Sequence, residues 1–244
     1  MGLLRQLTKT ILTACVSRRR LLTRGPRAAR NAAPQIALTF DDGPHPEHTP
    51  RLLDVLAEWQ LTATFFVIGE LAARHPDLVR RIAAEGHELG NHTWSHGEPS
   101  RIDARQFLDE VRRTDELLAE LTGTAPRTMR PPKGELNWSK LAGLWQRGQS
   151  VVLWNVDPRD YRMSSADDMA AWCSGYEPQG GDILLLHDNH PWAITAVQTL
   201  ASRGVFDRFQ TTTVSSWTGF SREAAQANRC GRQPKGTYFR NPPR

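Results

Sequence analysis

The sequence predicts an α/β protein, a parallel (β/α) barrel that is distorted and holds about seven βα units. Three observations carry that prediction. Short apolar runs, such as residues 62–68 and 182–186, are continuous rather than strictly alternating, as strands buried on both faces are. Stretches with apolar residues at helical spacing separate them. Polar, chemistry-bearing residues then follow the predicted strands: Asp41 and Asp42, His92 and His96, Arg130, Asp160 and His187. In a parallel barrel those strand ends share one rim, where active sites are built.

The elements follow in order. Residues 35–40 alternate as a strand and run into Asp41-Asp42-Gly43-Pro44, a turn sequence. Thr49-Pro50 offers an N-cap and a first-turn proline to a helix bearing Leu52, Leu53, Leu56 and Trp59. Residues 62–68 form the second strand. Pro76 opens a helix that Gly86 stops, and 88–91 leave room for only a short strand. Asp103 with Gln106 reads as a capping box for a long helix ended by Gly123. The second half repeats the rhythm. Strands are predicted at 128–130, 151–154, 182–186 and 209–214, with helices around 138–145, after Ser164-Ser165, and over 191–202 before Gly204.

The chain has 244 residues, 39% hydrophobic and 23% charged, enough for one large domain with a full core. Its net charge of +5 is unevenly placed. Residues 1–30 hold eight Lys or Arg and no acid, 221–244 hold six bases and one acid, and 31–220 carry a net −8. That argues against a nucleic-acid partner for the folded part. Cys15, Cys173 and Cys230 make neither a CxxC pair nor an even set, so no disulfide framework or cysteine zinc site is indicated. We expect a basic N-terminal tail over 1–34, a catalytic domain over 35–220 and a polar basic tail over 221–244. Leu3, Leu4, Leu7, Ile11 and Leu12 fall near helical spacing, with Arg5 and Lys9 between them. This segment reads either as an irregular tail or as an amphipathic helix making peripheral membrane contact through residues 1–20. Its apolar stretch is short and is followed by Arg18-Arg19-Arg20, which does not make a secretory signal. A cytoplasmic location is expected, with membrane association as its alternative.

The chemistry lies in five motifs. Successive side chains on a strand point opposite ways, so Asp41 and Asp42 can take different tasks, one accepting a proton and one binding a cation. Read alone, the same four residues are only a turn. His92-Thr93-Trp94-Ser95-His96 sets two imidazoles four residues apart, which converge on one cation in a tight turn or helix. Asp42 then supplies a third ligand, and a site of two imidazoles and a carboxylate suits zinc better than an all-oxygen metal. In Arg130-Pro131-Pro132-Lys133-Gly134 the prolines stiffen a turn, leaving the Lys133 N–H as a candidate oxyanion donor, and Arg130 could pair with Asp41. Asp157-Pro158-Arg159-Asp160-Tyr161 and Leu186-His187-Asp188 complete the rim. Trp94, Trp138 and Trp192 lie near motifs and read equally as core or as sugar-stacking surfaces.

These residues, in this order, resemble the polysaccharide deacetylases of carbohydrate esterase family four, which share the NodB homology domain, over about residues 35–214. The resemblance implies a hydrolase that uses a divalent metal, zinc, to remove N-acetyl groups from N-acetylglucosamine-type sugars in a chito-oligosaccharide or peptidoglycan-like chain. It implies Asp41 as base, Asp42, His92 and His96 as metal ligands, and Arg130 as the group holding the base. It further implies the Lys133 N–H facing the oxyanion, and Asp160 tuning His187, the acid. Lys133 stands where the family commonly has Tyr, and Tyr161 where it commonly has Trp. An ammonium at Lys133 would favour sugars carrying a carboxylate or phosphate, unless only its backbone matters. Two other readings stay open: a deformylase or amidase acting on a lipid-linked sugar, and a non-catalytic carbohydrate-binding relative.

Overall fold

The computed structural model describes residues 16–27 and 32–219. Most of the expected amphipathic segment, and the tail over 221–244, lie outside the described residues. Seven of the eight described strands fall where the sequence places them: β2 (Gln35–Asp41), β3 (Ala63–Val67), β4 (Glu88–Asn91), β5 (Thr128–Met129), β6 (Ser150–Val152), β7 (Ile183–His187) and β8 (Gln210–Thr211). The other is β1 (Leu21–Leu22), inside the stretch expected to be tail. Every pairing is parallel, in the order β1-β6-β5-β4-β3-β2-β7, with β8 added on β2. The ladders do not close the ring. Short contacts join its ends instead, among them a bridge from Val156 to Leu184 and the Gly25 N–H donating to Gly181 O at 2.7 Å.

Helices α1 (His48–Glu58), α2 (Gly69–Arg74), α3 (Pro76–Ala84), α4 (Ala104–Thr122), α5 (Trp138–Gln146), α6 (Ala166–Gly175) and α7 (Trp192–Ser202) lie between strands. Two four-residue helices, α8 (Val205–Arg208) and α9 (Ser215–Thr218), flank β8, which shortens the last strand from its expected 209–214. Leu52, Leu56, Val197 and Leu200 of α1 and α7 pack with Ile36, Leu38 and Phe40 of β2 in the main core. The alternate residues of β2 turn inward. Ala37 joins Phe66, Val152, Ile183 and Trp217 in a second cluster, and Leu22 of β1 completes it. Leu22 is fully buried, so the folded unit begins before the boundary expected at residue 35. Gly90 leaves room for the Phe66 ring, whose nearest atoms a Cβ would meet at 2.5 Å.

Capping chemistry fixes several helix starts. Asp103 and Gln106 form the expected capping box on α4, Gly123 ends that helix in the left-handed region (φ 77°), and Ser165 with Asp168 forms a second box on α6. Thr49 does not cap α1, which starts two residues earlier than expected, at His48 after Glu47. Its hydroxyl accepts from His45 N–H (2.7 Å) and donates to Asp188 Oδ2 (2.6 Å), tying α1 to the end of β7.

Candidate metal centre and acid–base site

The strand ends gather the expected residues on one rim. Asp41 closes β2 in the extended conformation and points inward. There Arg130 Nη1 reaches Asp41 Oδ1 at 2.7 Å and Thr39 Oγ1 at 2.8 Å. Arg130 is fully buried, with its guanidinium carbon 4.3 Å from the centroid of the Phe66 ring. Its Nε donates to Val152 O and its Nη2 to Leu153 O, both at 3.3 Å. A buried cation so fully bonded is a fixed counter-charge for Asp41. Thr39 lies two residues before Asp41, so strand alternation alone could have placed it beside Arg130.

Asp42 takes a left-handed backbone (φ 70°), which swings its carboxylate away from that of Asp41. Asp42 Oδ1 is 3.3 Å from both His92 Nε2 and His96 Nε2, and the three side chains could hold a metal ion. Ligand atoms at about 2.0–2.1 Å from a tetrahedral ion lie about 3.3–3.4 Å apart, which matches these spacings. Asp42 Oδ1 is buried without a hydrogen-bond partner, as a metal-ligand oxygen is. His92 Nδ1 bonds Arg130 O at 2.6 Å, which leaves Nε2 with its lone pair towards Asp42. The residues present therefore fit a divalent cation. Burial works against the charge of Asp42, but His92, His96 and His187 outweigh it and hold the carboxyl at about 2. Burial also opposes a charge on His92, yet Asp41 and Asp42 raise it, whereas burial and then His92 lower His96. A cation would occupy the position that otherwise favours a proton on His92.

Asp41 Oδ2 faces the same space, 3.8 Å from His92 Nε2. Across from it, His187 Nδ1 bonds Asp160 Oδ1 at 2.6 Å, and the His187 N–H donates to Asp160 Oδ2 at 2.7 Å. Asp160 is fully buried. Burial disfavours the imidazolium, but Asp160, Asp41 and Asp42 raise His187 to about 9. Tyr161 is 49% exposed and meets the His187 ring edge-on, with centroids 5.7 Å apart. Below this turn lies buried Asp188, raised to about 7 by burial, with Asp42 and Asp41 adding to the effect and Thr49 opposing it. A Cβ on Gly43 would stand 2.1 Å from Asp188 Oδ2, so only glycine fits there.

Lys133 adopts φ 55° within the turn Pro132–Gly134, and its Nζ pairs with Glu98 Oε2. The ammonium expected beside the metal site is thus paired with a carboxylate. Of the three tryptophans, Trp138 is 62% exposed, Trp192 packs against the core, and Trp94 lies beneath Arg113 at 3.5 Å. Sequence reasoning missed Asn91 and Glu110, which hold the turn between the two histidines. Asn91 Oδ1 accepts from Thr93 N–H at 2.8 Å. Glu110 sits mid-helix with no local motif to mark it.

A family model described as polysaccharide deacetylase matches residues 28–152. The chain is 40% identical over 150 residues to the peptidoglycan-N-acetylglucosamine deacetylase of Bacillus cereus, covering 62% of this chain and 54% of that protein. It thus spans about half the length of that relative. It is 42% identical over 158 residues to a chitooligosaccharide deacetylase of Bradyrhizobium sp., covering 64% of this chain and 71% of that one. The solved structure of the Bc1960 peptidoglycan N-acetylglucosamine deacetylase superposes with a TM-score of 0.73 at 33% identity, covering 81% of this chain and 92% of that one. The family model covers just over half of the chain, and on that ground the chain belongs to the polysaccharide deacetylase family.

Proposed function

We propose that this chain hydrolyses the N-acetyl group of N-acetylglucosamine-type sugars within an oligo- or polysaccharide, using a zinc ion held by Asp42, His92 and His96. The observation that carries the reading is the placing of an arginine-held carboxylate and a carboxylate-held imidazole around one three-donor site. A bound divalent ion would supply Lewis-acid polarisation of the acyl oxygen and would acidify a water. The protein's own groups account for the proton traffic. Asp41, kept in place by Arg130, turns Oδ2 towards the site and takes the proton of the attacking water. The backbone N–H of Lys133, in its proline-stiffened turn, stabilises the charge that develops on the acyl oxygen. With a pKa of about 9, His187 is protonated near neutral pH, and Asp160 fixes its ring through Nδ1. Its other nitrogen gives its proton to the sugar amine as the C–N bond breaks, so acetate leaves and a free amine remains on the sugar. Exposed Tyr161 and Trp138 offer faces on which a sugar ring can stack.

The test measures acetate and formate release from an N-acetylated chito-oligosaccharide, a peptidoglycan fragment and an N-formylated sugar, after chelation and after zinc is restored. Zinc-dependent acetate release is expected. Formate release alone would favour a deformylase, and binding without release would favour a non-catalytic carbohydrate binder. The cytoplasmic location and membrane contact proposed for this chain rest on its N-terminal sequence alone.

A further inference from the structure

His92 and His96 are joined by a turn in which both Thr93 (φ 67°) and His96 (φ 53°) are left-handed, a conformation that costs energy in residues other than glycine. Bonds from outside the turn hold it. Thr93 O and Trp94 O accept from Gly69 N–H and Glu70 N–H at the start of α2, each at 3.0 Å. One side chain then takes three further donors. Glu110 of α4 accepts from Trp94 N–H (3.2 Å), Ser95 N–H (3.1 Å) and Ser95 Oγ (2.9 Å). The Trp94 indole is held between the Arg113 guanidinium, 3.5 Å from its centroid, and Gly69, where a Cβ would meet the ring at 2.5 Å.

We propose that Glu110 is a positioning residue for the cation site: it locks the turn that brings His96 to Asp42, and so sets metal affinity without being a ligand. The inference rests on the metal-site reading above. His92 is oriented independently by Arg130 O, whereas His96 follows a turn whose peptide N–H groups at Trp94 and Ser95 end on Glu110. Releasing them lets the turn leave its left-handed conformations, and His96 then samples positions away from Asp42. The energy spent on restoring it is taken from metal binding.

The test titrates zinc into the chelated, full-length chain against a chromophoric chelator and records the melting temperature of the metal-free protein. Glu110→Ala is expected to weaken zinc binding about 10- to 100-fold, the usual range for groups that orient metal ligands. Ser95→Ala keeps both N–H bonds and should lose less. Glu110→Gln, which retains one acceptor oxygen, should fall between native and Glu110→Ala, and it serves if Glu110→Ala does not fold. Leu118→Ala, a core truncation on the same helix, should lower the melting temperature and leave zinc affinity unchanged. Native zinc affinity in Glu110→Ala and Glu110→Gln, or an equal loss in Leu118→Ala, overturns the positioning role while leaving the metal site standing. A native chain that binds no zinc overturns both readings at once.

Discussion

Asp42 and Asp41 are neighbours in sequence, and the backbone gives them different work. Asp41 ends the strand with one oxygen on Arg130, while the left-handed φ of Asp42 turns its carboxylate to the two imidazoles. Asp42→Ala, His92→Ala and His96→Ala should therefore each abolish tight zinc binding, measured as bound metal per chain after dialysis; unchanged occupancy in all three would mean that the site is misassigned. The pairing was legible because Asp, His and Arg at strand ends advertise their chemistry. The Lys133 charge was not, since its partner Glu98 lies 35 residues away and the turn alone does not reveal it. Both members of this pair are exposed to solvent, so their effect on substrate choice is small. In Lys133→Met, the kcat/KM ratio for an anionic over a neutral N-acetylated substrate should change less than about twofold, because the charge removed was already compensated. Glu98→Gln frees the ammonium and should raise that ratio about two- to fivefold, an effect that fades with added salt. A large fall in the ratio for Lys133→Met would show that the lysine reaches the substrate despite Glu98.

At the scale of elements, α4 does the most for the site. Its capping box and left-handed glycine end are both readable in the sequence, and they frame the helix that carries Glu110 and Arg113 to the histidine turn. Asp103→Ala should cost about 1 kcal/mol, the usual worth of an N-cap, read as a lower denaturation midpoint at constant m-value. Metal affinity should be unchanged, since the cap lies two turns from Glu110. The elements that escaped the sequence share a physical cause. β1 is two residues long and follows three arginines, so Leu21 and Leu22 show no period; only the edge of β6 makes them a strand. α2 spans six residues directly after a strand, too few for a helical stripe to stand out. Thr49 and Pro50 imitate a helix start, but the Thr49 hydroxyl is claimed by Asp188 across the fold.

Over the whole molecule, the inside of the sheet runs from an acid at the bottom to the site at the top. Glu88, at the start of β4, accepts from Thr128 Oγ1 (2.8 Å), Ser215 N–H (3.0 Å) and Thr64 Oγ1 (3.1 Å), joining three strands and a C-terminal helix. Burial raises its pKa despite those donors. The folded state then holds the Glu88 proton more tightly than the unfolded chain, so its contribution is fully present below the unfolded pKa and is lost as pH rises through the folded one. The unfolding free energy of the native chain minus that of Glu88→Gln should fall as pH rises above the ordinary carboxylate range; a flat or rising difference would show the donors outweighing burial. The reaction proposed at the opposite end needs an arginine-held base and a histidine acid acting together, and that proposal has a direct measurement. In zinc-loaded Asp41→Asn, acetate release from an N-acetylated oligosaccharide should fall on the order of 10²–10⁴-fold in protein that is folded at the assay temperature and keeps its metal, although its melting temperature falls because buried Arg130 loses its counter-charge. Near-native release from the folded, metal-loaded variant would contradict the assignment of Asp41 as the base and the acid–base account built on it.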